Sequence, residues 1–141
     1  MKKLFIDTNV LIDFLDKRKP FFNDIAKIST LVEDNQFKLV ASSISFVNAF
    51  YVLRKKNENK LVIESLKRFR VICQVSSIDD LVIDKSLFSD FNDFEDAVQY
   101  YSAIHAKCDI LITRNEKDFK NSKIPVMTPN EFLVSYKKNK S

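Results

Sequence analysis

Leu4-Phe5-Ile6-Asp7-Thr8-Asn9-Val10-Leu11-Ile12-Asp13, "LFIDTNVLID", sets a carboxylate in the middle of an apolar run. Leu4 to Ile6 is a short stretch without alternation, the pattern of a strand buried on both faces. Thr8 and Asn9 are helix-capping residue types, so a helix is expected to follow at once. Asp7 then has two uses. It can satisfy the first turn of that helix, or it can stand at the carboxyl end of a strand, where open parallel sheets bind their ligands.

Outward from this stretch, further strands are expected at Lys38 to Ala41, Val71 to Val75, Ile110 to Thr113 and Pro125 to Met127. Between them Phe21, Ile25, Ile28 and Val32 recur at helical spacing, as do Val62, Leu66 and Phe69, and Ala97, Tyr101, Ile104 and Cys108. Each set marks one buried helix face. Strands alternating with helices, and too uniformly apolar for a half-exposed sheet, predict an α/β fold with parallel strands between helices. The chain has no glycine, so left-handed turn positions fall to residues such as Asn35, Asn57 and Asn59. The same absence excludes P-loop and Rossmann phosphate sites, whose fingerprints are built on glycine. A phospho-receiver domain is excluded as well, because Val71 to Ser77 has no aspartate to end the third strand.

At 141 residues, 45% hydrophobic and 30% charged, the chain fits one domain, residues 1–136, followed by a fraying basic tail, 137–141. Asp7 cuts the N-terminal apolar run far below signal-peptide length, and the uncharged run from Leu39 to Leu53 is shorter than the roughly 20 residues that cross a bilayer. Cys73 and Cys108 lie in apolar settings that suit reduced, buried thiols. A cytoplasmic protein with no membrane association is expected. The net charge of +4, with clusters at Arg54-Lys55-Lys56, Lys67-Arg68 and Lys137-Lys138, is compatible with an anionic partner, although lysines also belong at helix C-termini.

Two more acidic sites join Asp7. Asp93 and Asp96 open the helix that carries Ala97, and Asp118 follows the fourth strand in Thr113-Arg114-Asn115-Glu116-Lys117-Asp118. Capping accounts for each singly: Asp93 with Asp96 is close to a capping box, and Asn115 suits the start of a short helix. Their common address weakens that account, since all can converge on one edge of the sheet. Carboxylates brought together repel unless a cation neutralises them, and oxygen ligands without thiolate or imidazole company point to Mg²⁺ or Mn²⁺. Such a metal activates water and stabilises charge in phosphodiester hydrolysis.

Asp7-Thr8-Asn9, the segment Ser43 to Lys55, Asp93-Phe94-Glu95-Asp96-Ala97, and Ile112-Thr113-Arg114-Asn115 with Asp118-Phe119 together resemble the PIN-domain family. The likeness is strongest to the stand-alone, toxin-type ribonucleases of bacterial toxin-antitoxin pairs and runs from Lys3 to Phe132. It implies a three-layer α/β/α sandwich with a central parallel sheet and an acidic Mg²⁺ site that cleaves RNA. By position, Asp7 and Asp96 would be the main metal ligands, with Asp93 and Asp118 supporting them directly or through water. Thr113 and Asn115, and Asn9 with them, would orient carboxylates or the attacking water. A homodimer and a small inhibitory antitoxin are implied partners. One position departs from the pattern: Asn48 stands where these nucleases usually carry a glutamate. Its amide oxygen can ligate but brings no charge, which lowers the expected metal affinity and opens an alternative, a catalytically impaired RNA- or protein-binding module. Glu64 and Asp84 are not obvious substitutes. The sole histidine, His105, is expected to be structural, and Phe21, Phe22, Phe46, Phe50, Phe69 and Phe132 to be core or dimer contacts.

Overall fold

The opening stretch folds as its pattern indicates. In the computed structural model, which describes residues 1–140, β1 (Lys3–Ile6) stops at Asp7 and α1 (Thr8–Leu15) begins with the next residue. The chain continues through α2 (Phe22–Glu33), β2 (Lys38–Ser42), α3 (Ser43–Leu53), α4 (Asn59–Ile72), β3 (Cys73–Ser76), α5 (Asp80–Leu87) and α6 (Phe94–His105). It ends with β4 (Ile110–Ile112), a 3₁₀ turn (Glu116–Phe119), β5 (Val126–Met127) and α7 (Pro129–Lys140).

All five strands are parallel, in the order β3-β2-β1-β4-β5. Strand side chains alternate between two cores, one on each face of the sheet. Leu4 and Ile6 of β1, Leu39 and Ala41 of β2 and Ile110 and Ile112 of β4 face α1, α2, α3, α4 and α7. Phe5, Val40 and Leu111 face the other way, where Tyr100 and Ala103 of α6 and Phe119 of the 3₁₀ turn cover them. The result is the three-layer α/β/α sandwich. From β1 the sheet grows one way through β2 and β3 and the other way through β4 and β5. The carboxyl ends of β1 and β4 therefore flank the point where strand order reverses, the usual position of a ligand crevice.

Several boundaries differ from the sequence pattern. The third strand begins at Cys73, two residues later than expected, because the period of Val62, Leu66 and Phe69 continues and Val71 and Ile72 complete α4. Val71 is 84% exposed on the last turn of that helix. On α6 the buried residues are Ala97, Val98, Gln99, Tyr100, Ser102 and Ala103, a band wider than one stripe, because the helix is covered by the sheet on one side and by α5 on another. Lys137, Lys138 and Lys140 of the expected basic tail lie in the last turn of α7, where their charge favours the helix dipole, and Ser141 lies outside the described residues.

Of the asparagines expected in left-handed conformation, Asn35 adopts it (φ 60°), and Lys17 (50°) and Lys107 (59°) take the other two positions. All three follow helix ends closed by the same pair of bonds. After α6, the Lys107 N–H donates to Ile104 O at 2.9 Å and the Cys108 N–H to Ala103 O at 3.0 Å. These bonds satisfy the last carbonyls of the helix and outweigh the roughly 1–2 kcal/mol that a side chain costs at such a φ. Asn57 instead donates its side-chain amide to Leu53 O at 3.0 Å, and Asn59 opens α4. Among the described residues no helix is long and apolar enough to cross a membrane.

Candidate active site

Asp7 serves both of its readings. It is the N-cap of α1, with the Thr8 N–H donating to its Oδ1 at 2.8 Å. Its other oxygen, Oδ2, accepts from Thr113 Oγ1 at 3.1 Å at the end of β4. A third donor was not legible in the sequence: Gln99 Nε2 on α6 reaches Asp7 Oδ1 at 3.3 Å. Burial raises the Asp7 carboxyl above the usual aspartate range, and the negative charge of Asp118 adds to the rise, against the three hydrogen bonds that favour ionisation.

Gln99 is wholly buried. Its amide nitrogen also lies 2.9 Å from Thr8 Oγ1 and 2.8 Å from Ser45 Oγ, and its oxygen accepts from Ser42 Oγ. Thr8 and Ser45 share a further hydroxyl bond of 2.7 Å. One amide thereby ties the start of α1, the end of β2 and the first turn of α3 to the helix that carries Asp96. Among the described residues no buried side-chain nitrogen or oxygen lacks a partner. A glutamine inside an apolar helical run, Ala97-Val98-Gln99-Tyr100, was the only available sequence signal.

Asp96 lies in the first turn of α6. Its carboxyl is pushed up to about 7, first by burial and then by the charges of Asp93, Asp118, Asp7 and Glu95. Asp7, Asp93 and Asp118 are therefore each within electrostatic reach of Asp96, and Asp118 is within reach of Asp7. Asp93 is the N-cap of α6 and accepts the Asp96 N–H at 3.0 Å, so capping occupies one of its oxygens. Asn115 precedes the 3₁₀ turn but makes no capping bond with its side chain. Its amide donates to Asp118 Oδ1 at 3.1 Å, and its N–H donates to Thr113 Oγ1 at 3.2 Å. Asn48 Nδ2 is 3.4 Å from Glu95 Oε1, so a carboxylate from α6 stands beside the amide on α3. Asn9 is exposed on α1.

The Thr113-Arg114-Asn115 segment is clamped from behind. Arg114 Nε donates to buried Asp13 at 2.7 Å, its Nη2 reaches the other Asp13 oxygen, and its guanidinium lies 4.0 Å from the Phe21 ring centroid. Phe21 is thus a cation–π partner at the rim of α2. His105 is half exposed and stands 3.8 Å from Asp79. Burial pushes both free thiols, Cys73 and Cys108, up to about 12, so neither is a nucleophile near neutral pH.

The donor set around Asp7 and Asp96 is entirely oxygen, the chemistry of a hard divalent cation. Among the described residues no three His, Cys, Asp or Glu side chains are already drawn together as a set that could hold a metal ion. Uncompensated like charges oppose such closure. The raised Asp96 carboxyl has a measurable consequence. Between the ordinary aspartate value of 3.8 and about 7, the folded chain keeps a proton there that the unfolded chain has released. Stability conferred by protonated Asp96 is therefore lost as pH rises through that window and stays lost above it. In chelator, the melting temperature of wild type relative to Asp96→Asn should fall between pH 4 and pH 8; parallel curves would show that burial and the neighbouring charges do not raise the Asp96 carboxyl.

The chain is 27% identical over 136 residues to Ribonuclease VapC1 of Aquifex aeolicus (strain VF5), covering 93% of each chain. Its fold is similar to that of DNA-bound VapBC from Salmonella typhimurium, with a TM-score of 0.68 and 17% identity over 92% of this chain and 99% of that one. A toxin-antitoxin complex from Klebsiella pneumoniae aligns with a TM-score of 0.66 and 24% identity over 89% and 97% of the two chains. The sequence profile of the PIN domain matches residues 3–117, which include Asp7, Asn48, Asp93, Asp96, Thr113 and Asn115, and the chain belongs to the PIN-domain family.

Proposed function

We propose that this protein is a metal-dependent endoribonuclease, the toxin of a toxin-antitoxin pair. The observation that carries the reading is the gathering of Asp7, Asp93 and Asp118 around Asp96 at the switch point of the sheet, where burial first, and then these negative charges, push the Asp96 carboxyl up to about 7. Asp7 and Asp96 would hold Mg²⁺ or Mn²⁺, with Asp93, Asp118 and the Asn48 amide in support. When bound, such a cation supplies a water of lowered pKa and neutralises charge at the scissile phosphate. The protein's own part is placement. Thr113 and Gln99 fix the two Asp7 oxygens, Asn115 turns Asp118, and the Arg114–Asp13 pair keeps the Thr113–Asn115 segment from shifting.

The similarity to Ribonuclease VapC1 and to structures of toxin-antitoxin complexes supports an RNA substrate and a small cognate antitoxin. A homodimer is supported by α3, which is apolar on more than its core face and leaves Val47 53% and Tyr51 51% exposed, one helical turn apart. Light scattering on the partner-free protein should give twice the chain mass, and a monomer at micromolar concentration would remove the dimer.

Incubation of purified protein with a panel of structured and single-stranded RNAs, in Mg²⁺ or Mn²⁺ against EDTA, tests the reading. Cleavage that EDTA abolishes is expected. Cleavage indifferent to EDTA would overturn the metal role, and none by folded, metal-loaded protein would favour a second reading, an impaired RNA- or protein-binding module. Asn48 is the observation behind that alternative, because its amide brings no charge and is engaged by Glu95. Asn48→Glu adds a carboxylate there and is expected to tighten Mn²⁺ binding by about tenfold, on the scale of one added close charge. Unchanged affinity by calorimetry would show that residue 48 does not face the metal.

A further inference from the structure

The cleft that holds Asp93, Asp96 and Asp118 opens into a second, larger space. Asp90, Phe91 and Asn121 line both the cleft and a groove of about 710 Å³ bounded by the end of α5, the α5–α6 connection, α6 and the chain after the 3₁₀ turn. Its walls are pinned together. Asn121 Nδ2 lies 3.4 Å from the Asp90 carbonyl, and the Lys123 N–H donates to the Tyr100 hydroxyl at 3.0 Å.

The groove is lined mainly by aromatic rings and by two lysines, with Asp90 as its one carboxylate. Phe91 packs with ring centroids 5.2 Å from Tyr100 and 6.2 Å from Tyr101, forming a tilted aromatic floor. Phe88 stands at the edge, 89% exposed, the most exposed of the large apolar side chains described. Lys85 and Lys123 flank the groove, and Lys117 and Lys120 flank the adjoining cleft. None of these four ammonium groups has a carboxylate partner among the described residues, whereas Lys56 and Lys67 each do. Unpaired cations along one path, with aromatic faces between them, fit a flexible polyanion whose bases can stack. A protein partner fits less well, since lysine is depleted in the cores of protein interfaces.

We propose that this groove binds a single-stranded RNA segment next to the cleavage position, with bases stacked on Phe88 and Tyr101 and backbone phosphates on Lys85 and Lys123. The proposal rests on the ribonuclease reading and adds to it the place and the strandedness of substrate recognition. It also separates these lysines from the sequence-visible basic clusters: Arg54 is already engaged by the rings of Phe50 and Tyr51, and Lys67 by Glu64.

Anisotropy of a fluorescent, mixed-sequence 12-nucleotide single-stranded RNA, titrated with full-length protein in EDTA, measures binding apart from cleavage. Phe88→Ala and Tyr101→Ala are each expected to weaken binding by roughly five- to a hundredfold, the range for losing one stacked base. Phe88→Trp should retain wild-type affinity. Lys85→Ala and Lys123→Ala should each lower the slope of log affinity against log salt by about 0.7. Wild-type affinity and salt slope in these variants would overturn the groove while leaving the nuclease reading untouched. Weakened binding by the variants, with no cleavage by wild type in Mg²⁺ or Mn²⁺, would uphold the groove and overturn the nuclease. A change in molecular mass on Phe88→Ala with RNA binding intact would make the groove a protein interface and overturn the proposal.

Discussion

Asp7→Asn is expected to abolish RNA cleavage and to raise the melting temperature of the same protein at pH 7. Loss of activity follows from removing ligand charge where the proposed cation is held, an effect of roughly 10³-fold or more on the scale of lost electrostatic stabilisation. The gain in stability follows from burial. The wild-type carboxyl is pushed above its ordinary value of 3.8, so the ionised form is the penalised one at neutral pH. Asparagine has the same shape and no charge. Its oxygen can still accept from the Thr8 N–H and Gln99, and its amide can donate to Thr113 Oγ1 in place of the bond now running the other way. Because the folded-state value is raised, the stability deficit of wild type exists above the unfolded value and vanishes as pH falls below it. The variant's advantage should therefore be clear at pH 7 and absent near pH 3. Full cleavage by the variant would sink the site assignment, and a lower melting temperature at pH 7 would show that the hydrogen bonds outweigh burial. A site that is less stable than its inert replacement is the usual trade between stability and function.

Gln99→Leu should destabilise the fold by about 2–4 kcal/mol, measured from the urea midpoint. Leucine fills a similar volume but offers no donors or acceptor, and it faces three hydroxyls and a carboxylate. Thr8, Ser42 and Ser45 keep bonds to one another, which limits the loss. Asp7 keeps the Thr8 N–H and Thr113 but loses the donor that spans to α6, so cleavage should also fall, by about 10- to 100-fold, the effect of losing a partner that orients a ligand. A structural role alone would lower stability without moving the metal dependence of cleavage. The proposed role requires that more Mn²⁺ be needed for half-maximal rate. Stability within about 0.5 kcal/mol of wild type would show that the network is not a constraint on the fold.

The first strand, the helix after Asp7 and the buried faces of α2 and α4 were legible, because a helix period and a strand end are properties of neighbouring residues. Asp93 as the cap of α6 was legible for the same reason. The α4–β3 boundary was not, because Val71, Ile72 and Cys73 suit either state and only packing chooses between them. Left-handed Lys17 and Lys107 were also invisible, since their conformations are imposed by carbonyls that need closing and not by side-chain preference.

For the candidate site, the residue types, their order and their attachment to strand ends and helix starts can be read along the chain, and the oxygen chemistry and the family likeness follow from these. Tertiary structure alone decided what each of those residues touches. Gln99 and Asp7 are 92 positions apart and share a hydrogen bond. Glu95, read only as part of an acidic run, stands beside Asn48 because α3 and α6 meet over the strand ends. The raised Asp96 carboxyl likewise belongs to no local stretch, since its causes lie at residues 7, 93, 95 and 118. Capping and periodicity act over one helical turn, so sequence can carry them; burial of a carboxylate and the charges ranged against it exist only once distant strands and helices have closed around a common point.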